Sequence, residues 1–203
     1  MKLLIATTNP GKLREIQELL AQPGLELVTL DDWPGIEAPE EVGASFAENA
    51  RIKALYYAAR TGCTTVAEDS GLHIDALGGA PGVQSSRFGG THCSYPDKFQ
   101  LLYEALAAVG SSSSPARFLC DVALARPGRI VFETHGSIEG RIAESPKGTG
   151  GFGYDPIFYY PPFGCTLAEA GELKVSVSHR AQAFRQLSAF LEDSHDKIDQ
   201  MTR

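Results

Sequence analysis

The chain has 203 residues, 43% hydrophobic and 21% charged, a mix that excludes disordered and fibrous classes and is long enough for a real core. A formal net charge of -7 repels polyanions, and no run of Lys and Arg supplies a basic patch, so no nucleic-acid partner is expected. The apolar run after Lys2 is too short for a signal-peptide core or a membrane span, so no membrane segment is expected, and four cysteines without paired spacing suggest a cytoplasmic protein.

Residues 2–7 read as a central strand running into a small polar loop. Asn9 can cap a helix over residues 11–21, with Leu13, Ile16, Leu19 and Leu20 on one face, stopped by Gln22-Pro23-Gly24. Residues 25–30 predict a second strand, and the Pro-, Gly- and acid-rich stretch 31–43 a loop. Residues 45–61 form the longest helical pattern, with Phe46, Ala50, Ala54, Leu55 and Ala58 as its buried stripe and Gly62 closing it. A short strand over 64–67 is expected to end in Glu68-Asp69-Ser70-Gly71.

Residues 77–95 are glycine-rich and read as loop. A helix is expected over 97–109, then an exposed loop at 111–114. Residues 117–125 and 129–138 alternate around Arg126-Pro127-Gly128, a hairpin signal. A strand over 156–160 and an amphipathic helix over 178–191 follow, with a frayed polar tail after Asp193. Strand-helix-strand followed by a hairpin predicts an α/β fold with a mixed sheet and a second lobe built on the hairpin. Cys63, Cys93, Cys120 and Cys165 show no zinc or redox spacing and read as reduced thiols.

The first chemical motif is the turn Thr7-Thr8-Asn9-Pro10-Gly11-Lys12 between a strand and a helix. Free N–H groups and the positive helix end converge there, and Thr7, Thr8, Asn9 and Lys12 add donors and charge, which suits a phosphate. It is not a standard P-loop, because the leading Gly is absent and Leu13 stands where a magnesium-binding hydroxyl would be. An ordinary capped helix explains the motif about equally well. The second group is acidic: Glu37, Glu40 and Glu41 in a loop, Glu68 and Asp69 at a strand end. Hard oxygens there suit Mg²⁺, and one carboxylate can take a proton from an attacking water. Glu37 reads as a solvated surface acid. Neighbouring strand residues point to opposite faces, so Glu68 and Asp69 are not expected to share one metal.

Gly148-Thr149-Gly150-Gly151-Phe152-Gly153 matches the dinucleotide pattern G-x-G-x-x-G by letter, yet Tyr154-Asp155-Pro156 follows it instead of a helix. A ring-stacking loop bearing Phe152 and Tyr154, or a tight turn with core aromatics, fits better. In Lys174-Val175-Ser176-Val177-Ser178-His179-Arg180, Ser178 caps a helix and leaves His179 and Arg180 in its first turn. Positive charge there opposes the helix dipole, a placement that points to a ligand.

Together these segments resemble the inosine/xanthosine triphosphate pyrophosphatases, the Ham1-like enzymes of non-standard purine nucleotides. The carrying residues are Thr7-Thr8-Asn9-Pro10-Gly11-Lys12, Phe46-Ala47-Glu48-Asn49-Ala50 with Lys53, and Ala67-Glu68-Asp69-Ser70-Gly71-Leu72. Leu77-Gly78-Gly79-Ala80-Pro81-Gly82, the glycine loop through Pro156, and Ser178-His179-Arg180 complete the set in the family's order. Two positions depart from it: Thr8 stands where Gly is frequent, and Glu68 where Asp is frequent.

The resemblance implies a single domain over residues 1–203, with a long mixed sheet flanked by helices and two lobes with an active-site cleft between them, as a homodimer. It implies Mg²⁺-dependent hydrolysis of ITP, dITP and XTP to the monophosphate and pyrophosphate. Asp69 would be the catalytic acid/base and a magnesium ligand, and Glu40 a second ligand. Thr7, Thr8, Asn9, Pro10, Gly11 and Lys12 would hold phosphates. Ser70, Phe152, Gly153, Tyr154, Asp155, Lys174, His179 and Arg180 would complete the substrate site, with Phe152 stacked on the purine and His179 and Arg180 near its 6-oxo group. Lys53 and Arg87 are further phosphate candidates. Two rivals stay open: a pyrophosphatase acting on modified pyrimidines or methylated bases, and a nucleotide sensor that binds without hydrolysis.

Overall fold

The computed structural model describes the backbone of residues 1–200 and the side chains of residues 1–193. Its strands are β1 (Lys2–Ile5), β2 (Glu26–Thr29), β3 (Thr64–Ile74), β4 (Pro115–Arg126), β5 (Arg129–Ile142), β6 (Phe158–Tyr160) and β7 (Cys165–Thr166). They form one sheet in the order β2-β1-β3-β4-β5-β6-β7. β1 runs parallel to both β2 and β3, with Leu4 opposite Val28 and Thr65, whereas β6 is antiparallel to β5 and β7. The sheet is therefore mixed, as the element pattern predicts. The helices are α1 (Pro10–Leu19), α2 (Phe46–Thr61), α3 (Tyr95–Ala108), α4 (Leu173–Val177) and α5 (His179–Gln200).

Local chemistry explains most boundaries. Leu3, Leu4 and Ile5 are all buried, the continuous apolar run of a parallel strand covered on both faces. Asn9 caps α1: its Oδ1 accepts from the N–H groups of Gly11 at 2.9 Å and Lys12 at 3.1 Å. Ser45 Oγ accepts the Glu48 N–H at 3.2 Å to open α2, and Gly62 closes it at φ 72°, where a Cβ would be strained. The turn at Pro127-Gly128 joins β4 to β5 as expected, although both strands run further than the alternation suggested.

β3 is the main departure. The sequence predicts a short strand over residues 64–67, but the strand continues to Ile74 and carries Glu68 and Asp69 in its interior. Charge usually ends a buried strand. Here nearby cations compensate both carboxylates, so the ladder goes on to bury Leu72 and Ile74. The short helix α4 had no periodic signal, and α5 extends beyond the expected end at Leu191. The frayed tail expected after Asp193 concerns side chains and terminal residues that lie outside the described ones.

The chain divides into two compact units. One comprises Met1–Asp69, Asp121–Gly136 and Arg180–Arg203, the other Ser70–Cys120 and Ser137–His179. In the first, Leu4, Ala6 and Val28 pack against Ala50, Ala54, Tyr57 and Ala58 of α2, whose small residues let the helix lie close to the sheet. In the second, Leu72 and Ile74 meet Phe99, Leu102 and Leu106 of α3, with Phe118, Ile138 and Phe158 completing the core. Each fully buried Leu, Ile or Phe contributes roughly 1.5–3 kcal/mol over its exposed state, so neither core is a minor appendage. Among the described residues no helix is long and apolar enough to cross a membrane. No disulfide joins the four cysteines.

Candidate functional site

In the first unit, Lys12, Glu15, Glu41, Lys53 and Arg180 gather around the two acids of β3, Glu68 and Asp69. Strand alternation sends Glu68 and Asp69 to different partners, as the sequence argument required. The Glu68 carboxylate receives Lys12 Nζ from α1 at 2.8 Å and Arg180 Nη2 from α5 at 3.4 Å. Arg180 also binds Glu15 Oε2 of α1 at 2.6 Å. Burial pushes the Glu68 carboxyl up, but Arg180 and then Lys12 outweigh it and hold the group well below the ordinary glutamate value.

Asp69 faces the other way. Asn49 Nδ2 of α2 donates to Asp69 Oδ2 at 3.0 Å, and Lys53 Nζ, one turn further along α2, lies 3.1 Å from Oδ1. The Lys53 ammonium also pairs with Glu41 Oε1 at 2.6 Å. Gly43 N–H donates to Asn49 Oδ1 at 2.8 Å, which fixes the amide so that its NH₂ points at Asp69. Burial raises the Asp69 carboxyl, Lys53 and Lys12 pull it back, and the net effect is a value above that of an ordinary aspartate. For Lys53, burial acts downward but Asp69 and Glu41 prevail, so the ammonium keeps its proton more firmly than usual.

The phosphate-cradle motif forms the loop and capped start of α1. Thr7 Oγ1 accepts the Asn9 N–H at 3.2 Å, and Thr8, Asn9 and Pro10 are exposed. Asn9 Oδ1 already caps the N–H groups of Gly11 and Lys12, so the charged arm of the cradle is the Lys12 side chain aimed by Glu68.

The expected base-side residues mostly fall in the second unit. Asp155 is only 2% exposed, and its Oδ2 accepts both the Phe152 N–H at 2.8 Å and Lys174 Nζ at 2.7 Å. The Lys174 ammonium also lies 4.6 Å from the Phe152 ring centroid, so one carboxylate fixes both the glycine loop and the cation beside its aromatic ring. Gly151, at φ 70°, lets the loop fold onto Asp155, where a Cβ would collide. Gly153, at φ 69°, makes the next turn. Tyr154 is buried, donates its hydroxyl to Ser85 O at 2.7 Å and meets Tyr95 edge-on at 5.3 Å, so it serves the loop's foundation. His179 is buried and stacked on Phe118 at 4.9 Å. Ser70 follows Asp69 along β3, half-buried.

Three placements go beyond the sequence picture. Glu41, not its neighbour Glu40, reaches Lys53; Glu40 is exposed. Arg180 is 1% exposed and engaged by two acids of its own unit, so those ion pairs offset its position against the helix dipole. Asn49, Glu15 and Gly43 carried no assigned role. A signal for Asn49 existed: Asn49 and Lys53 sit four apart on the apolar face of α2, where polar side chains need a partner. Among the described residues no group of three or more His, Cys, Asp or Glu is gathered as a metal-ion cage.

A capped helix that brings Lys12 to the buried, cation-compensated carboxylate of Glu68 suits a phosphorylated small molecule. The sequence matches the model of the Ham1 family over residues 3–190. A dITP/XTP pyrophosphatase of Exiguobacterium sp. is 46% identical over 190 residues, covering 93% of this chain and 96% of that protein. The dITP/XTP pyrophosphatase of Thermus thermophilus is 47% identical over 188 residues, covering 92% and 90%. The solved structure of a HAM1 protein from Coxiella burnetii superposes with a TM-score of 0.88 at 41% identity, over 95% of this chain and 99% of that one. This chain belongs to the Ham1 family.

Proposed function

We propose that the protein hydrolyses non-standard purine nucleoside triphosphates (ITP, dITP and XTP) to the monophosphate and pyrophosphate. The single observation that carries the reading is Asp69: a buried carboxylate of raised pKa, held by Asn49 and Lys53 on the strand beside the Lys12 cradle, in a chain nearly half identical to dITP/XTP pyrophosphatases over almost its full length. A base that ionises closer to neutrality takes a proton more effectively.

Glu41 and Asp69 form a two-carboxylate oxygen set that fits Mg²⁺, which binds through one or two carboxylates and the substrate's phosphates. Glu68 is committed to Lys12 and Arg180 and stands outside that set, and exposed Glu40 yields its expected place to Glu41. When bound, the ion neutralises charge on the triphosphate oxygens. Asp69 orients and deprotonates the water that attacks the α-phosphorus in line, and pyrophosphate leaves. Lys12, aimed by Glu68, grips the phosphate chain with the hydroxyls of Thr7 and Thr8. Arg180 serves that end as a positioning residue through Glu68.

On the base side, the residues of the second unit that suit a purine are Phe152, whose ring can stack, and the Lys174–Asp155 pair and His179, which can meet its edge. A donor facing the 6-oxo group would be left unpaired by the amino group of adenine, at a cost of about 1–3 kcal/mol. In this reading the enzyme works in the cytoplasm as a homodimer.

The test is pyrophosphate release with Mg²⁺ from ITP, dITP, XTP, GTP and ATP. Turnover of the first three well above GTP and ATP is expected, and comparable rates on all five would sink the specificity. Turnover only of modified pyrimidine or methylated-base triphosphates would favour the related pyrophosphatase, and binding without release a sensor.

A further inference from the structure

Both oxygens of Asp69 are engaged. Asn49 holds Oδ2 at 3.0 Å and Lys53 lies 3.1 Å from Oδ1, while the same ammonium stands 2.6 Å from Glu41 Oε1. Hard divalent ions take carboxylate oxygens at about 2.0–2.6 Å, so none can bridge Asp69 Oδ1 and Glu41 Oε1 while Lys53 remains there. The two donors on Asp69 are not alike. Asn49 is neutral, fully buried and held by the Gly43 N–H at 2.8 Å. Lys53 carries its charge on a flexible four-carbon stem that can swing aside. Its side chain is 13% exposed, so the ammonium is not sealed in place.

We propose that Lys53 is an internal counter-ion that occupies the Glu41–Asp69 pair in the nucleotide-free protein and makes metal capture conditional on the triphosphate. The proposal rests on the metal reading given above. Without nucleotide, the ammonium neutralises two half-buried and buried acids, holds them in register and repels a bare cation. A triphosphate brings the negative charge that draws the ammonium off Asp69 Oδ1 and balances an added ion. Metal and nucleotide therefore bind with positive coupling, and an unloaded site does not fill with stray divalent ions.

The experiment uses Mn²⁺ as the probe, with binding to the full chain followed by electron paramagnetic resonance, alone and with a non-hydrolysable α,β-bridged ITP analogue. Lys53→Met is expected to bind Mn²⁺ without nucleotide on the order of ten-fold more tightly than the unsubstituted protein, within the roughly 5–150-fold span of site-to-site couplings. It should also lose most of the affinity gain that the analogue confers. Lys53→Gln is the second variant in case Lys53→Met does not fold, and Lys53→Arg, which keeps the charge, should stay at the unsubstituted value. Unchanged or weaker Mn²⁺ binding by the Met and Gln variants overturns the proposal, as does an equal gain in Lys53→Arg. Asp69→Asn separates the two levels. If it retains full Mn²⁺ binding with the analogue, the metal reading fails and this proposal with it. If it loses Mn²⁺ while the Lys53 variants gain nothing, only the role of Lys53 fails.

Discussion

Asp69 and Arg180 are both buried charges, and their surroundings treat them differently. Asp69 keeps a raised pKa because burial outweighs the pull of Lys53 and Lys12. In the metal-free protein its carboxyl should therefore titrate above the ordinary aspartate value of 3.8, as carboxyl ¹³C shifts followed against pH would show. Asp69→Asn should reduce kcat by about 10²–10⁴ while the thermal midpoint shows a folded protein; near-full turnover would remove Asp69 from its role. Arg180 is different, because its guanidinium spans Glu15 and Glu68 with almost no exposure. Arg180→Met leaves buried Glu68 with one cation fewer and should cost about 3–5 kcal/mol in denaturant unfolding. A loss under about 1 kcal/mol would mean that the pair behaves as a solvent-screened surface contact.

At the scale of elements, α2 is the platform of the acidic site. Its Ser45 cap and Gly62 stop set its length, its small residues set its closeness to the sheet, and Asn49 and Lys53 project from one side toward Asp69. The loop before it takes part as well. A Cβ on Gly43 would fall 2.6 Å from Asn49 Oδ1 and 2.7 Å from Glu48 Cβ, inside any tolerable contact. Gly43→Ala should therefore displace the Asn49 amide and lower kcat several-fold, while stability falls by about 1–3 kcal/mol, the range for overpacking. Steady-state kinetics beside thermal unfolding would check it, and unaltered kcat would show that Asn49 does not position Asp69. In the second unit Asp155 plays the corresponding part, joining the Phe152 loop to α4 through Lys174.

At the scale of the whole molecule, the charge network makes stability depend on pH with a definite sign. Glu68 has a folded pKa well below the ordinary glutamate value of 4.5, so its contribution is fully present above that value and is lost as pH falls through the folded pKa. Asp69 runs the opposite way, since its raised carboxyl takes up a proton in the folded state first and offsets part of that loss. Urea unfolding should show Glu68→Gln well below the unsubstituted protein at neutral pH, with the gap closing on acidification below about pH 4.5. A gap that stays constant with pH would show that the network does not stabilise the ionised form. Much of this architecture was legible in the sequence, because it depends on neighbours along the chain: the buried run of β1, the Asn9 cap, the α2 stripe from Phe46 to Ala58, and the Pro127-Gly128 turn. The alternation rule even separated Glu68 from Asp69. Pairings between distant segments were not legible. Glu15, Glu68 and Arg180 are far apart in sequence, and only packing of α1, β3 and α5 turns them into one ion network. That Glu41 and not Glu40 pairs with Lys53 depends on which loop carboxylate the fold turns toward it, and two adjacent glutamates have the same chemistry until that turn is made. The continuation of β3 past its acids has the same cause, since a charged residue ends a strand unless tertiary neighbours neutralise it.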